Sequence, residues 1–194
     1  MGRMSLNKPA HALSHDDRQT LLALAPDSIR KGLCGEELVI DAAEYSPALQ
    51  LPGASFVTID IDGSLRGCIG SLEARRQLVI DVVENAHAAA FRDPRFPALT
   101  WPEFERLDLH ISILSPPEPV SFSSEEDLIR QMRRGVDGLI LEDGMRRGTF
   151  LPSVWVSLPE PREFLRHLKQ KAGLPPDYWS DTIKIQRYIT ESLS

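Results

Sequence analysis

Several features that would assign this protein to a functional class are scarce or absent from its sequence. Only two of the 194 residues are cysteines, Cys34 and Cys68, and their spacing indicates neither a zinc site nor a disulfide framework. Reduced thiols in the cytoplasm are therefore expected. No apolar stretch approaches the roughly 20 residues that span a bilayer, and the first residues lack a signal-peptide core. The motifs GxGxxG, Walker A, HExxH and GxSxG are also missing, so no motif supports a nucleotide-binding, zinc-protease or hydrolase function and we assign no cofactor.

Composition and charge favour a folded domain over a nucleic-acid binder. Hydrophobic residues make up 42% and charged residues 26% of the chain, close to the average for globular proteins. The 28 acidic residues outnumber the 22 lysines and arginines, and the net charge of −6 disfavours binding to a phosphate backbone. Basic residues are concentrated in one part of the sequence, where they form either a solvated face or a surface for an acidic or phosphate-bearing partner. This basic concentration comprises Arg130, Arg133, Arg134, Arg146 and Arg147.

Hydrophobic patterning predicts an α+β fold with mainly antiparallel strands. Alternating strands flank Asp62-Gly63 and Asp143-Gly144, so two hairpins are expected. Apolar residues recur with helical spacing from Glu73 to Phe91, and Pro26 should end or kink the first helix unless the helix restarts at Asp27. Strands and helices do not alternate as in a doubly wound sheet. The other predicted elements are a helix with a Thr100/Glu103 capping box, a strand at 107–113, a helix with a Ser123/Glu126 capping box, a helix at 162–172 and a last strand around 183–189.

The most informative segment is Leu65-Arg66-Gly67-Cys68-Ile69-Gly70. Two glycines weaken a strand, so Gly67 and Gly70 indicate close approach of another element or unusual torsions. Strand alternation places Arg66, Cys68 and Gly70 on one face. An arginine beside a cysteine favours the thiolate and can hold an anion, which is what a nucleophilic site requires. The alternative is a buried, inert cysteine.

A second candidate segment, Phe91–Pro97, follows the helix predicted at 73–91. Arg92, Asp93 and Arg95 lie in this proline-restrained loop, where they form either a structural clamp or an anion pocket facing Cys68. Asn85 lies on the apolar stripe of the helix, and a structural hydrogen bond across to a strand is the favoured role for its amide.

Histidines contribute no predicted metal site. His87 and His110 each lack a second ligand at metal spacing, so they are interpreted as hydrogen-bonded or exposed histidines. His11 and His15 stand four residues apart beside Asp16, a spacing that suits a metal if the segment is helical. Residues 1–15 carry no periodic apolar pattern, however, and are expected to form a loosely ordered tail.

Taken in order along the chain, these motifs resemble the AMMECR domain family from about residue 18 to residue 192. The segments that carry the resemblance are Leu65–Gly70 (the LRGCIG motif), Glu84–Ala86, Ala89–Phe96, Asp137–Leu139 and Lys171–Pro175. The resemblance implies an α+β domain at 16–192 made of two subdomains. The larger would comprise about 16–120 with a C-terminal strand at 182–192, and the smaller about 121–181, with the LRGCIG strand beside a cleft between them.

The family resemblance implies no established reaction, and it leaves open whether the protein is an enzyme. It implies a three-protein system with a Memo-like protein and a radical SAM protein as partners. The leading hypothesis is that the cleft binds a small anionic group or modified residue, with Cys68 as candidate nucleophile. The binding residues would be Arg66, Gly67, Gly70, Asn85, Arg92, Asp93 and Arg95. The alternatives are an adaptor without chemistry that docks its partner proteins and, less favoured by charge, an RNA-binding module.

Overall fold

A computed structural model describes residues 13–194, which divide into two compact units. Among these residues, the first unit comprises 13–115 together with Glu191–Ser194, and the second comprises Pro116–Thr190. Both units combine helices with β-sheet, as the α+β prediction requires. No helix among the described residues is long and apolar enough to cross a membrane.

The first unit consists of one five-stranded sheet and four α-helices. The sheet has the order β2-β1-β4-β9, with β3 paired to β1 beyond the end of β2. Both long neighbours of β1 run antiparallel to it. The elements are α1 (His15–Leu33), α2 (Pro47–Gln50), β1 (Pro52–Ile61), β2 (Ser64–Gly70), β3 (Arg76–Gln77), α3 (Leu78–Phe91), α4 (Trp101–Phe104), β4 (Leu107–Leu114) and β9 (Thr190–Leu193).

The β1–β2 hairpin contains an irregularity that positions Arg66. The turn residues Asp62 and Gly63 have φ values of 51° and 75°, as a two-residue Asp-Gly turn requires. Ile59 pairs with Gly67 but Asp60 pairs with Leu65, so Arg66 is an extra residue without a partner. Such a bulge re-aims the side chain that it contains. The simple alternation that predicts a shared face for Arg66 and Cys68 therefore does not hold at Arg66.

One face of the first sheet is covered by α3 and forms the main core. Val57, Ile59 and Ile111 are fully buried there, together with the apolar face of α3. Gly67 allows the helix to lie directly on β2, because a Cβ at this position would stand 2.2 Å from the carbonyl oxygen of Ala89. The close approach predicted from the glycines of the LRGCIG segment is present at this point.

The first helix differs from its prediction in two respects. It runs without interruption through Pro26, although proline removes one helical hydrogen bond. Leu21, Ala25 and Ile29 are fully buried on one side of it, so tertiary packing outweighs the lost bond. The expected tail at 1–15 is described only for its last three residues, where Leu13 is buried and Ser14 caps the helix through Asp17. Order therefore begins before residue 16.

The second unit has its own four-stranded sheet and core. The strand order is β5-β8-β6-β7, with antiparallel pairing throughout. Its elements are β5 (Glu118–Pro119), α5 (Glu125–Gln131), β6 (Gly138–Asp143), β7 (Arg146–Phe150), α6 (Pro161–Lys171) and β8 (Lys184–Tyr188). The predicted last strand is thus two strands. The first of them, β8, pairs with β6 in the second unit, and β9 belongs to the first sheet.

Two local features of the second unit were not predicted from the sequence. The predicted Ser123/Glu126 capping box of α5 is not formed: the N-cap is Ser124, whose side chain accepts from the Asp127 amide, and the Asp127 carboxylate accepts from the amide of Ser123, one residue before the cap. Lys169 is fully buried, and its ammonium donates to Glu125 at 2.7 Å. Burial of a lysine is rare unless the charge is paired, so this ion pair links α6 to the start of α5.

Candidate functional site

Cys68 lies in the middle of the edge strand β2 and is held from two directions. Thr58, directly opposite on β1, donates its hydroxyl to the Cys68 sulfur at 3.2 Å. The Cys68 amide donates outward to the carboxylate of Asp93 at 2.9 Å. The residue is nevertheless partly exposed. A partly exposed cysteine that is fixed by hydrogen bonds differs from the buried, inert cysteine of the alternative interpretation.

Asp93 and Arg95 form a clamp on the edge of β2. The Asp93 side chain is 2% exposed and accepts from the Arg95 amide at 3.1 Å, from Nε at 3.0 Å and from Nη2 at 2.7 Å. Nη2 of Arg95 also lies 3.5 Å from the Cys68 carbonyl oxygen. The hydrogen bonds from Arg95, aided by the Cys68 amide, hold the pKa of Asp93 well below its usual range despite its burial. Asp93 thus remains an ionised acceptor that fixes the β2 backbone.

Arg66 points to a different set of partners. Its Nε and Nη2 bind the Glu103 carboxylate at 2.7 and 3.2 Å, and Nη2 also donates to the Pro97 carbonyl at 3.0 Å. The hydrogen bonds from Arg66 lower the pKa of Glu103 to about 2. Phe96 links the two arginine sites, because its ring centre lies 5.6 Å from the Arg66 guanidinium carbon and 5.3 Å from that of Arg95. Arg66 therefore supports the loop that carries Arg95.

Arg92 and Gly70 also have roles other than direct contact with the thiol. Arg92 is exposed and makes a long ion pair, 3.3 Å, with exposed Glu37. A Cβ at Gly70 would stand 2.3 Å from the Phe56 ring and 2.4 Å from the Ser55 carbonyl oxygen, so this glycine serves packing. Of the predicted site residues, the structure brings Cys68, Asp93 and Arg95 together, and it places Arg66, Arg92 and Asn85 elsewhere.

Asn85 belongs to a buried polar cluster that the sequence analysis does not identify as a unit. Its amide donates to the Ser55 carbonyl at 3.0 Å and to Asp81 at 2.9 Å, so the expected hydrogen bond from helix to strand is present. The buried Asp81 carboxylate also accepts from Ser55, Ser71 and Arg76. Because these donors, from α3 and from the residues around β1 and β3, all bind the Asp81 carboxylate, the cluster links α3 to the first sheet.

The face of the first sheet opposite α3 carries a row of polar side chains that was not predicted from the sequence. Thr58 pairs with Cys68 on one side and with His110 on the other, so these three residues form a row across β2, β1 and β4. The imidazole Nε2 of His110 lies 3.7 Å from the Asp60 carboxylate. Period-two alternation in the predicted strands that contain Thr58 and His110 indicates which side chains share a face of each strand. The pairing and register of these strands are not evident from the sequence.

The remaining predicted features are the histidine pair at the start of the chain and the basic concentration, whose five arginines are all exposed. Among residues 13–194, no group of three or more His, Cys, Asp and Glu side chains is arranged to hold a metal; His15 is the first residue of α1, and His11 lies outside the described residues. Most of the basic concentration is engaged within the second unit. Its contacts are Arg133 to Asp137 at 2.6 Å, Arg147 to Glu142 at 2.9 Å, Arg130 to Asp127 at 3.6 Å, and Arg146 to the Gly173 carbonyl at 2.5 Å.

Comparison with known proteins relates this geometry to a family. A curated protein of Methanothermobacter thermautotrophicus is 38% identical over 170 residues, which cover 87% of this chain and 88% of the relative. One from Thermococcus gammatolerans is 42% identical over 178 residues, covering 88% and 86%. The crystal structure of an uncharacterised protein from Pyrococcus horikoshii is similar with a TM-score of 0.80 at 34% identity, covering 89% of this chain and 88% of that one. The AMMECR1 family model matches residues 22–193, and the chain therefore belongs to the AMMECR1 family.

Proposed function

We propose that this AMMECR1-family protein binds a small anionic group beside Cys68 and uses the Cys68 thiol as a nucleophile. The observation that carries the proposal is that Cys68 is fixed through both its sulfur and its amide and still remains partly exposed. Reactive cysteines are partly exposed and lie near cationic groups, whereas structural cysteines are buried in apolar surroundings. Cys68 fits the first description, with Arg95 as the neighbouring cation.

Arg95 supports recognition of an anion because part of its guanidinium is free. Nε and Nη2 are used by Asp93, whereas Nη1 makes no hydrogen bond within the part of the chain that the structure describes. About half of the side chain is exposed. The Asp93–Arg95 pair is neutral overall, so the expected ligand is a small group with one anionic oxygen positioned by Nη1 rather than a multiply charged phosphate chain.

The thiol is tested by alkylation, in which sulfur bonds to carbon and iodide leaves. Cys34, an exposed cysteine at the end of α1, provides an internal reference. We expect iodoacetamide to modify Cys68 in a Cys34→Ser protein faster at pH 7 than it modifies Cys34 in a Cys68→Ser protein. A Cys68 no faster than Cys34 at any pH would remove the nucleophile role.

Recognition of the anion is tested by comparing iodoacetate with neutral iodoacetamide. Arg95 should raise the iodoacetate-to-iodoacetamide rate ratio at Cys68 above the ratio at Cys34. Arg95→Gln should remove the excess, and Arg95→Lys should retain part of it because a lysine keeps the charge but not the fork of donors. Equal ratios at the two cysteines would leave the anionic ligand without support.

From the family resemblance we also propose a Memo-like protein and a radical SAM protein as partners. Docking through the basic residues of the second unit is the adaptor alternative, and Arg134 is the member best suited to test it because Arg133 is bound to buried Asp137. In a pull-down of the two partners, loss of binding in Arg134→Glu but not in Cys68→Ala favours docking. Retained binding with loss of system output in Cys68→Ala favours chemistry at the thiol.

A further inference from the structure

We infer that Thr58 and His110 form a proton path that activates Cys68, with Asp60 positioning the imidazole. The inference rests on the proposed nucleophile role and extends it by naming where the thiol proton goes. It is carried by the row of side chains on the sheet face opposite α3, where a thiol, a hydroxyl, an imidazole and a carboxylate follow one another over three neighbouring strands.

The register of the strands brings these groups within reach of one another. Thr58 is directly opposite both Cys68 and His110, and side chains at directly opposite positions have Cβ atoms about 4.5–5.5 Å apart. The hydroxyl of Thr58 already contacts the sulfur at 3.2 Å. The His110 ring extends from β4 toward Asp60, two residues beyond Thr58 on β1, and its Nε2 lies 3.7 Å from the Asp60 carboxylate. Because the His110 side chain is 48% exposed, the ring has room to turn toward Thr58.

The chemistry of the hydroxyl suits a relay because a threonine can accept one hydrogen bond while donating another. The Cys68 S–H proton passes to the Thr58 oxygen, and the Thr58 hydroxyl proton passes to the imidazole. The products are a thiolate that accepts a hydrogen bond from Thr58, as in the structure, and an imidazolium beside the Asp60 carboxylate. The arrangement of nucleophile, base and orienting carboxylate matches the general logic of activated nucleophiles.

Charged groups around this row also affect the thiol and must be separated from His110 in a test. Asp108, opposite Asp60 on β4, adds negative charge to the same face and opposes thiolate formation. Arg95 favours the thiolate, but its charge is offset by Asp93. Arg66 is paired with Glu103 and contributes little net charge. The test therefore changes His110 while these charged groups stay in place.

The test is the pH–rate profile of Cys68 alkylation by iodoacetamide in a Cys34→Ser background. We expect His110→Gln and Thr58→Val to slow the reaction at pH 7 by about tenfold, because the thiol proton then has no path to the imidazole. Asp60→Asn should have a smaller effect, and Thr58→Ser should restore the wild-type profile because it keeps the hydroxyl. Added imidazole should accelerate His110→Ala but not the wild-type chain, a rescue that a purely structural histidine would not show.

His167→Gln is the matched control for His110→Gln. His167 is equally exposed, at 47%, and its Nδ1 lies 3.9 Å from the Glu163 carboxylate and 2.9 Å from the Glu163 carbonyl oxygen, so it is a histidine beside a carboxylate in the second unit, which contains no cysteine. Its variant should follow the wild-type profile. A reactive Cys68 whose profile is unchanged in His110→Gln overturns the proton path and leaves the proposed function intact. A Cys68 no more reactive than Cys34 in the parent chain overturns both.

Discussion

Both units of the molecule contain a buried aspartate clamped by an arginine, and the two clamps do different things. In the first unit the Asp93 side chain is 2% exposed and Arg95 is 53% exposed; in the second the values are 1% for Asp137 and 52% for Arg133. Each carboxylate accepts from Nε and Nη2 of its arginine and from that arginine's amide. The two pairs therefore use the same donor groups and are exposed to the same extent.

The clamps differ in what else the carboxylate holds. All the donors to the Asp137 carboxylate come from Arg133, four residues earlier, so that clamp closes a local turn. Asp93 also accepts the amide of Cys68, 25 residues away on an edge strand. The same pair of residue types thus stabilises a turn in one unit and positions a candidate nucleophile in the other. The two pairs also differ in order and spacing, because Arg133 lies four residues before Asp137 whereas Arg95 lies two residues after Asp93.

The largest effect that separates the clamps is expected from removing each aspartate. Asp137→Ala should lower the free energy of unfolding by about 2–3 kcal/mol, below the usual cost of breaking a buried pair because Arg133 can reach water. Asp93→Ala should cost about 1 kcal/mol more, since it also leaves the Cys68 amide without its acceptor. Urea unfolding of the two variants provides the measurement.

Cys68 alkylation provides a second readout for the same pair of variants. Only Asp93→Ala should change its rate, because only Asp93 touches β2. If Asp137→Ala changed the rate as much, the assignment of a purely local role to the second clamp would be wrong.

A smaller difference is expected at two glycines that occupy corresponding positions in the two units. Gly67 on β2 and Gly148 on β7 each face a helix, and a Cβ would stand 2.2 Å from the Ala89 carbonyl oxygen in the first case and 2.8 Å from the Ala172 amide nitrogen in the second. Overpacking costs about 1–3 kcal/mol, so Gly67→Ala should lie at the upper end and Gly148→Ala at the lower end. Urea midpoints of the two single variants test the order, and a larger loss in Gly148→Ala would contradict it.

Part of the fold and of the candidate site could be predicted from the sequence. Features that depend on local conformation or on a stripe of apolar residues were predictable. They are the close approach at the LRGCIG glycines, both Asp-Gly hairpins and the hydrogen bond from Asn85 to a strand. The reorientation of Arg66 was not, since it depends on a bulge that strand alternation does not reveal. Arg92 was grouped with Asp93 and Arg95 because they are neighbours in sequence, yet the end of α3 sends Arg92 toward Glu37.

Long-range register explains the other omissions. Thr58 and His110 are unremarkable in sequence, and they join Cys68 only because β1 is central and pairs on both sides with a particular register. Asp81 was predictable as part of a helix, but its four partner residues converge on it from different elements. A site that depends on pairing between distant strands requires the fold before it can be recognised.

The smallest expected effect concerns acid and the ion pair that supports the loop of the first clamp. The pKa of Glu103 falls from an ordinary 4.5 to about 2 because Arg66 and Thr100 bind the ionised carboxylate. A lowered folded-state pKa means that this stabilisation is complete above about pH 4.5 and is lost as the pH falls toward 2. We expect Glu103→Gln to be less stable than the parent chain by about 1–2 kcal/mol at pH 6, a value kept small because the Glu103 carboxylate is partly exposed.

The difference in urea midpoint between Glu103→Gln and the parent chain should narrow at pH 4 and close near pH 2, where the parent chain has also lost the charge. A gap that stayed constant across this range would mean that Arg66 is held by packing against Phe96 and the carbonyl of Pro97, and that its pairing with Glu103 adds little to the loop carrying Arg95.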